Sequence, residues 1–430
     1  MTPDPADSGN RRVIRGSSWV MAGILVQALT GLGFWFLAAS FETARTIGLA
    51  SAIFASIQFI NYATTLGLPE VIAAFPSSSR QQSDILVTRA VVATFSATAA
   101  GAAVYLAAAQ SPGVNHVLGS QVVVGWVIVT LLGGGNAIAQ LLDVHFMVHQ
   151  RWRVVFTRNA VVGLARIPLL FLLDLERAAL GVLLAMTGAI ALSGFAGLGV
   201  AANVTGFVPR LRGQLSGSRL MLRYAAVQYV SHLALFAPQF VLPVLVLADV
   251  NPEENANFFL AWTITTVVST VPLIVGRVLV VEGSREEGTN RQITTSLVFA
   301  LSLMVVAIIG AIPVSKMIIQ FYGEEYTLAA DLLPRLVLGC LPWSVTAISL
   351  SVARVRHDHL GSVLVTTGLA VSLLVLGLVL VPRDGAVGAA NAWLLSNTFS
   401  SLIALAVLHR NLRPDRRVAP GSHSATAMAE

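Results

Sequence analysis

Apolar residues fill this chain in long uninterrupted blocks. They do not follow the two-residue alternation of a half-buried strand or the one-sided stripe of a soluble helix. Polar or Pro/Gly-containing breaks separate stretches at roughly 14–40, 45–74, 85–109, 120–143, 154–173 and 178–207, and again at roughly 219–247, 255–282, 293–320, 329–353, 360–381 and 386–409. A helix needs about 20 apolar residues to cross a bilayer, and each stretch meets that length. The pattern predicts an all-α polytopic membrane protein with twelve transmembrane helices in two six-helix lobes. The expected organisation is an N-terminal lobe over residues 1–207, a cytosolic linker at 208–218, a C-terminal lobe over 219–409 and a disordered cytosolic tail at 410–430. The run from Val13 to Phe41 follows Arg11 and Arg12 but is too long for a signal-peptide core, so it reads as a retained first helix.

Charge placement orients the helices. Alternate breaks carry Arg80, then Arg151, Arg153 and Arg158, then Arg210, Arg212, Arg219 and Arg223, then Arg285 and Arg291, then Arg354 and Arg356, and finally Arg410, Arg413, Arg416 and Arg417. The intervening breaks hold Glu42, Asp174, Glu176, Asp249, Glu253, Glu254, Glu324, Glu325, Asp331 and Asp384 with few arginines. By the positive-inside rule, both termini are expected in the cytosol. Two halves of six helices suggest an internal duplication, with Glu42–Ala50 and Glu253–Ala261 as the best local match, each at the start of the second helix of its half.

Composition narrows the function classes. Of 430 residues, 55% are hydrophobic and 11% charged, where a soluble domain carries about 25% charged residues. The mean hydropathy is +0.76, so the chain is neither soluble and globular nor disordered. A net charge of +6 would suggest a nucleic-acid partner if position were ignored, but its distribution over membrane loops argues for none. Cys340 is the single cysteine, so no intramolecular disulfide or cysteine-based metal cluster is expected. His357, Asp358 and His359 read as a solvated turn between arginines, not as metal ligands, and no metal or cofactor is expected. The sequence has no P-loop, no zinc-type His/Glu pair on one helix and no Gly-x-Ser-x-Gly elbow. No break exceeds about fifteen residues, whereas membrane glycosyltransferases and polymerases usually place catalytic parts in a large outer loop. A non-enzyme is expected.

Polar residues deep in membrane helices are costly unless they face protein or water, which makes them site candidates. Gln27 sits in mid-helix 1. Gln58, Asn61 and Thr65 form one stripe, as do Tyr224, Gln228, His232 and Gln239. Thr266, Thr270 and Arg277 share a face around Pro272. The substrate-facing candidates are Arg277, Arg166, Gln27, Gln58, Asn61, Gln228, His232, Thr266 and Thr270. Glu70 and Asp143 are read as gating or structural groups, with Arg158 as a natural partner for Asp143. Each has a plainer reading. Gln, Asn and Thr also bind helix to helix, and Arg277 is close enough to a helix end to snorkel. Arg166 could bond the Asn136, Gln140, Asp143 stripe, and Trp35, Trp126, Trp262 and Trp343 fit an interfacial aromatic belt.

Several local patterns resemble the polysaccharide-transporter branch of the multidrug/oligosaccharidyl-lipid/polysaccharide exporter superfamily, the O-antigen and exopolysaccharide repeat-unit flippases. These are Thr46-Ile47-Gly48-Leu49-Ala50 with Leu66-Gly67-Leu68-Pro69, then Phe321-Tyr322-Gly323-Glu324-Glu325-Tyr326, then Gly385-Ala386-Val387-Gly388-Ala389-Ala390, in the family's order. The resemblance implies a flippase of the bacterial plasma membrane that moves a polyprenyl-pyrophosphate-linked oligosaccharide by alternating access for surface polysaccharide biosynthesis. It also implies contact with membrane lipids and partnership with a polysaccharide polymerase and export proteins. A guanidinium suits the pyrophosphate because it bonds phosphate in a bidentate fork and keeps its proton. The alternatives are a cation-coupled small-molecule or multidrug exporter of the same superfamily and, less favoured, a membrane glycosyltransferase or polymerase. The exporter branch commonly uses an acidic residue in helix 1, where this chain offers only Gln27.

Overall fold

The computed structural model describes residues 5–75, 79–108, 117–118, 121–173, 178–215, 217–283, 290–322, 324–356 and 358–412, and leaves out several side chains within helices, among them those of His232, Gln239 and Arg277. The expectations for His232, Arg277, His357 and the tail beyond Leu412 therefore lie outside the described residues. Every described segment of regular structure is helical.

The elements in order are α1 (Pro5–Phe41), α2 (Ala44–Thr64), α3 (Leu68–Ala74), α4 (Arg80–Ala108), α5 (Val122–Val148) and α6 (Trp152–Leu172). Next comes α7 (Ala178–Thr205), which contains a π-turn at Leu184–Gly188. The second half comprises α8 (Ser218–Asp249), α9 (Pro252–Gly283), α10 (Asn290–Tyr322), α11 (Thr327–Leu338), α12 (Cys340–Val355) and α13 (His359–Leu412).

Among the described residues, nine helical spans are long and apolar enough to cross a membrane, or ten when the two parts of α8, bent by 50°, count as one span. The 54-residue α13 is about 80 Å long at 1.5 Å per residue, more than twice the hydrocarbon thickness of about 30 Å. It breaks at Gly385 (φ 57°, ψ −135°) into two crossings. With α13 counted as two segments and the shorter apolar part of α1, Leu25–Phe41, included, the described helices match in number the apolar stretches that the hydrophobic pattern predicts.

Three local features differ from the sequence expectation. The stretch at 45–74 divides into α2 and α3 at Leu66 and Gly67, both with positive φ. Glycine is required at 67 because a Cβ there would lie 2.4 Å from the Ala225 carbonyl oxygen. The stretch at 329–353 divides into α11 and α12 around Gly339. Of the four tryptophans expected at the interface, only Trp126 is exposed, and Trp35, Trp262 and Trp343 are buried. Their neighbours explain the difference: Trp35 meets Phe259 at 4.7 Å, Trp262 meets Trp393 at 4.8 Å, and the Trp343 indole donates to the Ser269 carbonyl at 2.9 Å.

Helices of the first half pack chiefly on one another, α1 on α6, α4 on α5 and α5 on α7, while α12 packs on α13 and α9 on α11 and α12. The halves meet mainly through α2, which lies against both α8 and α9. At the acidic-loop end, the α2 and α9 backbones touch at Gly48. A Cβ there would sit 1.7 Å from the Pro252 oxygen, so only glycine fits. Buried Asn255 donates to the Gly48 carbonyl at 2.8 Å and to the Ser51 hydroxyl at 3.2 Å. At the arginine-rich end, the α2–α3 turn abuts α8, and Phe75 meets Tyr224 edge-on at 5.5 Å.

The segment between α7 and α8 is strapped to α4. Arg80 donates to the Thr205 carbonyl at 2.6 Å, Arg89 to the carbonyls of Leu211 and Gly213 at 3.1 and 2.7 Å, and the Arg210 N–H to the Thr88 hydroxyl at 3.0 Å.

Candidate functional site

Between these two contacts lies a cavity of about 440 Å³ at the seam of the halves. Its two walls differ in chemistry. The first half contributes Gln27 from α1, Gln58 from α2, Asn136, Gln140 and Asp143 from α5, Arg158, Asn159 and Arg166 from α6, and Ser193 from α7. The second half contributes Phe240 and Pro243 from α8, and Phe259, Trp262, Thr263, Thr266 and Thr270 from α9. Trp35, Phe54 and Tyr62 extend the aromatic lining along α1 and α2.

Helical spacing builds the charged wall. Arg158, Val162 and Arg166 lie four residues apart, so α6 turns one face inward. Arg158 forms an ion pair with Asp143 across to α5. That pair is incompletely satisfied, since Asp143 Oδ1 and Arg158 Nε and Nη1 have no hydrogen-bond partner among the described residues. Arg166 lies about 12 Å further along α6. It is 2% exposed, its Nε is unpartnered, and its guanidinium reaches toward Gly31 of α1. Asp143 is the one carboxylate among the described lining residues, and Arg158 holds it. The expected bond from Arg166 to the α5 stripe is therefore absent among the described residues, and Arg166 is left as an unneutralised cation.

The neutral groups divide into bonded and free. Asn136 donates to the Gln58 side-chain oxygen at 2.7 Å, which fixes both amides. Gln27 and Gln140 have no side-chain hydrogen bond among the described residues, so their amides can both donate and accept. The Thr266 and Thr270 hydroxyls donate to their own helix, at the Thr263 and Val267 carbonyls, 2.8 and 2.6 Å away. With the proton spent on the backbone, each oxygen offers only acceptor capacity to a ligand.

Of the sequence-derived candidates, Arg166, Gln27, Gln58, Thr266, Thr270 and Asp143 meet in this one cavity. Asn61 and Gln228 do not line it. Asn61 is wholly buried in α2, with both side-chain polar atoms unpartnered among the described residues, and Glu70 lies in the first turn of α3. Sequence reasoning missed Arg158 as a lining group by counting it among loop charges. Its spacing of eight from Arg166 was the available signal.

The fold is a two-half helical membrane bundle, and its likeness to known proteins is one of fold. No family model and no curated protein matches the sequence. Among solved structures, the lipid II flippase MurJ in an inward closed conformation is similar, with a TM-score of 0.73 at 12% identity over 92% of this chain and 88% of that one. An outward-facing multidrug resistance MATE transporter of the MOP superfamily gives 0.64 at 14% identity over 94% and 96%. A MOP-superfamily transporter from Pyrococcus furiosus, described as having a binding pocket of reverse polarity that suggests a different function, gives 0.60 at 14% over 94% and 96%. These structural neighbours are transporters, and at such identities the likeness establishes the fold.

Proposed function

We propose that the chain is a flippase that moves a polyprenyl-pyrophosphate-linked oligosaccharide across the bacterial plasma membrane by alternating access between two six-helix lobes, for cell-surface polysaccharide synthesis. The observation that carries this reading is Arg166, a buried guanidinium without a carboxylate among the described residues, in a cavity whose one lining carboxylate is already paired. Such a site favours an anion. Phosphate oxygens can take the bidentate fork of Arg166 and the spare donors of Arg158. Sugar hydroxyls, which donate and accept, suit the acceptor-only threonines and the free amides of Gln27 and Gln140. The fold neighbours include a lipid II flippase, which is compatible with this reading, and multidrug transporters, which are compatible with the alternative.

A second reading has one observation in its favour. The aromatic wall of Trp35, Phe54, Tyr62, Phe259 and Trp262 would also suit an organic cation through its ring faces, as in a multidrug exporter. Proteoliposomes holding a fluorescent polyprenyl-pyrophosphate-linked oligosaccharide separate the two. Wild-type protein should make the probe accessible to an outer-leaflet quencher, and Arg166→Gln should slow this at least tenfold. If wild-type protein leaves the glycolipid unmoved and exports ethidium, the flippase reading is wrong.

A further inference from the structure

We propose that the α9 wall of the central cavity selects the cargo by the hydrogen-bond donors of its sugars, so that the rings next to the diphosphate must carry free hydroxyls. This specificity rests on the flippase reading and assigns it to Thr263, Thr266 and Thr270.

All three threonines line the chamber, and each has its proton committed to its own helix. The Thr263 hydroxyl donates to the Phe259 carbonyl at 2.8 Å, Thr266 to the Thr263 carbonyl at 2.8 Å and Thr270 to the Val267 carbonyl at 2.6 Å. Such bonds are local to one helix and need no partner element. The three side chains are half-buried, whereas Thr265 and Ser269, on another face of α9, are buried with their carbonyls bonded by Cys340 and Trp343 of α12. What α9 presents to the chamber is therefore a row of hydroxyl oxygens that accept. The row extends about 10 Å along the helix, the length of linked sugar rings and more than that of one.

The facing wall supplies donors, from Arg166 and from the free amides of Gln27 and Gln140. The two walls are in register. α1 ends and α9 begins at the acidic-loop end, where Trp35 meets Phe259 at 4.7 Å. One turn further in, α1 places Gly31, where a Cβ would lie 3.6 Å from Arg166 Nη1, and α9 places Thr263. An anion on Arg166 has Thr263 across the chamber, and with Trp35 and Phe259 occupying the space beyond, its sugars run along the row toward Thr270.

A sugar hydroxyl can donate to a threonine oxygen and accept from Gln27 or Gln140 at once. A group that only accepts, such as an ether, an ester carbonyl or a fluorine, sets lone pair against lone pair, and the threonine relieves this only by giving up its helix bond. Discrimination then follows donor content and not size. Each lost hydrogen bond slows movement about three- to tenfold.

The test uses the full chain in proteoliposomes with two polyprenyl-diphosphate disaccharides that carry the same fluorophore on the tail. One has free hydroxyls. In the other, fluorine replaces the hydroxyls of both rings, which keeps their size and removes their donors. Quencher accessibility, after subtraction of the rate in protein-free vesicles, gives the movement of each. Wild-type protein should move the hydroxylated probe at least tenfold faster than the fluorinated one. Thr266→Val with Thr270→Val, which keeps shape and removes both oxygens, should bring the two rates within twofold, and Thr266→Ser with Thr270→Ser should restore the preference. Equal rates with wild-type protein would overturn the proposal, as would a valine double variant that slows both probes by the same factor, the mark of a structural role. The wild-type comparison needs no variant, so misfolding of a variant does not shield the proposal. Movement of both probes at one rate would sink the donor rule alone, whereas movement of neither would sink the flippase reading with it.

Discussion

Gly48→Ala tests whether the contact between α2 and α9 closes one end of the cavity. A carbon resting against a carbonyl oxygen needs about 3.3 Å, and the added methyl would be 1.7 Å from the Pro252 oxygen. The shortfall is about 1.6 Å, and because the clash is with backbone, no rotamer change relieves it. Overpacking of this kind costs about 1–3 kcal/mol. The separation would also strain the two Asn255 hydrogen bonds to Gly48 and Ser51, each worth about 1 kcal/mol. A total of about 2–5 kcal/mol against the closed end lowers its population relative to an open one by a factor of about 30 to several thousand, at tenfold per 1.4 kcal/mol. Nitroxides placed at Arg45 and Glu253, both exposed, report the gap by pulsed electron spin resonance. The native Cys340 is buried and will not compete for label. The distance distribution should move to longer values in Gly48→Ala, and by a smaller fraction in Asn255→Ala. An unchanged distribution in folded Gly48→Ala protein would refute the assignment of this contact as the closure.

Arg166→Met should raise the melting temperature while abolishing glycolipid movement, because an unpaired buried cation is replaced by an apolar side chain of similar length; a lower melting temperature would mean that Arg166 has a structural partner. Asp143→Asn should destabilise the fold by about 3–5 kcal/mol by stranding Arg158, and the double change with Arg158→Gln should recover much of that in denaturant titrations. A third change concerns the turn before α13. Burial pulls the Asp358 carboxyl upward, but hydrogen bonds from Arg410, the Gly361 N–H and Asn411, with the Arg410 charge, outweigh this and hold it below its usual 3.8. Its contribution is therefore complete above that value and lost as pH falls through the lower folded-state value, so Asp358→Asn should lower the melting temperature at pH 7 and matter progressively less as pH falls below 3.8.

The membrane architecture was legible because a crossing is written into one continuous segment: length and apolarity suffice, and no distant partner is needed. The subdivision of crossings was not. Leu66 and Gly67 break the second crossing where α8 approaches, and the two halves of α13 join across Gly385 without a loop. The buried tryptophans show the same limit, since Trp35 and Trp262 gain their neighbours from other helices. For the site, spacing correctly grouped Thr266 with Thr270, but it could not say that these would face Gln27, Gln58 and Arg166 across one chamber. Asn61, three residues from Gln58, turned away from it. Arg158 was hidden by being read as loop charge, although it stands on the same α6 face as Arg166.

The strapped segment between α7 and α8 has a mechanical consequence. Arg80, Arg89 and Thr88 fix its residues to α4 as far as Gly213, and α8 begins at Ser218 after Gly217, whose φ is 74°. A free tether would let the halves drift in all directions, but this one is welded to its N-terminal side for most of its length. The slack available to a swing of one half against the other is therefore short: five residues from Gly213 to Ser218 span at most about 18 Å, and any larger separation at the arginine-rich face must break the bonds to α4.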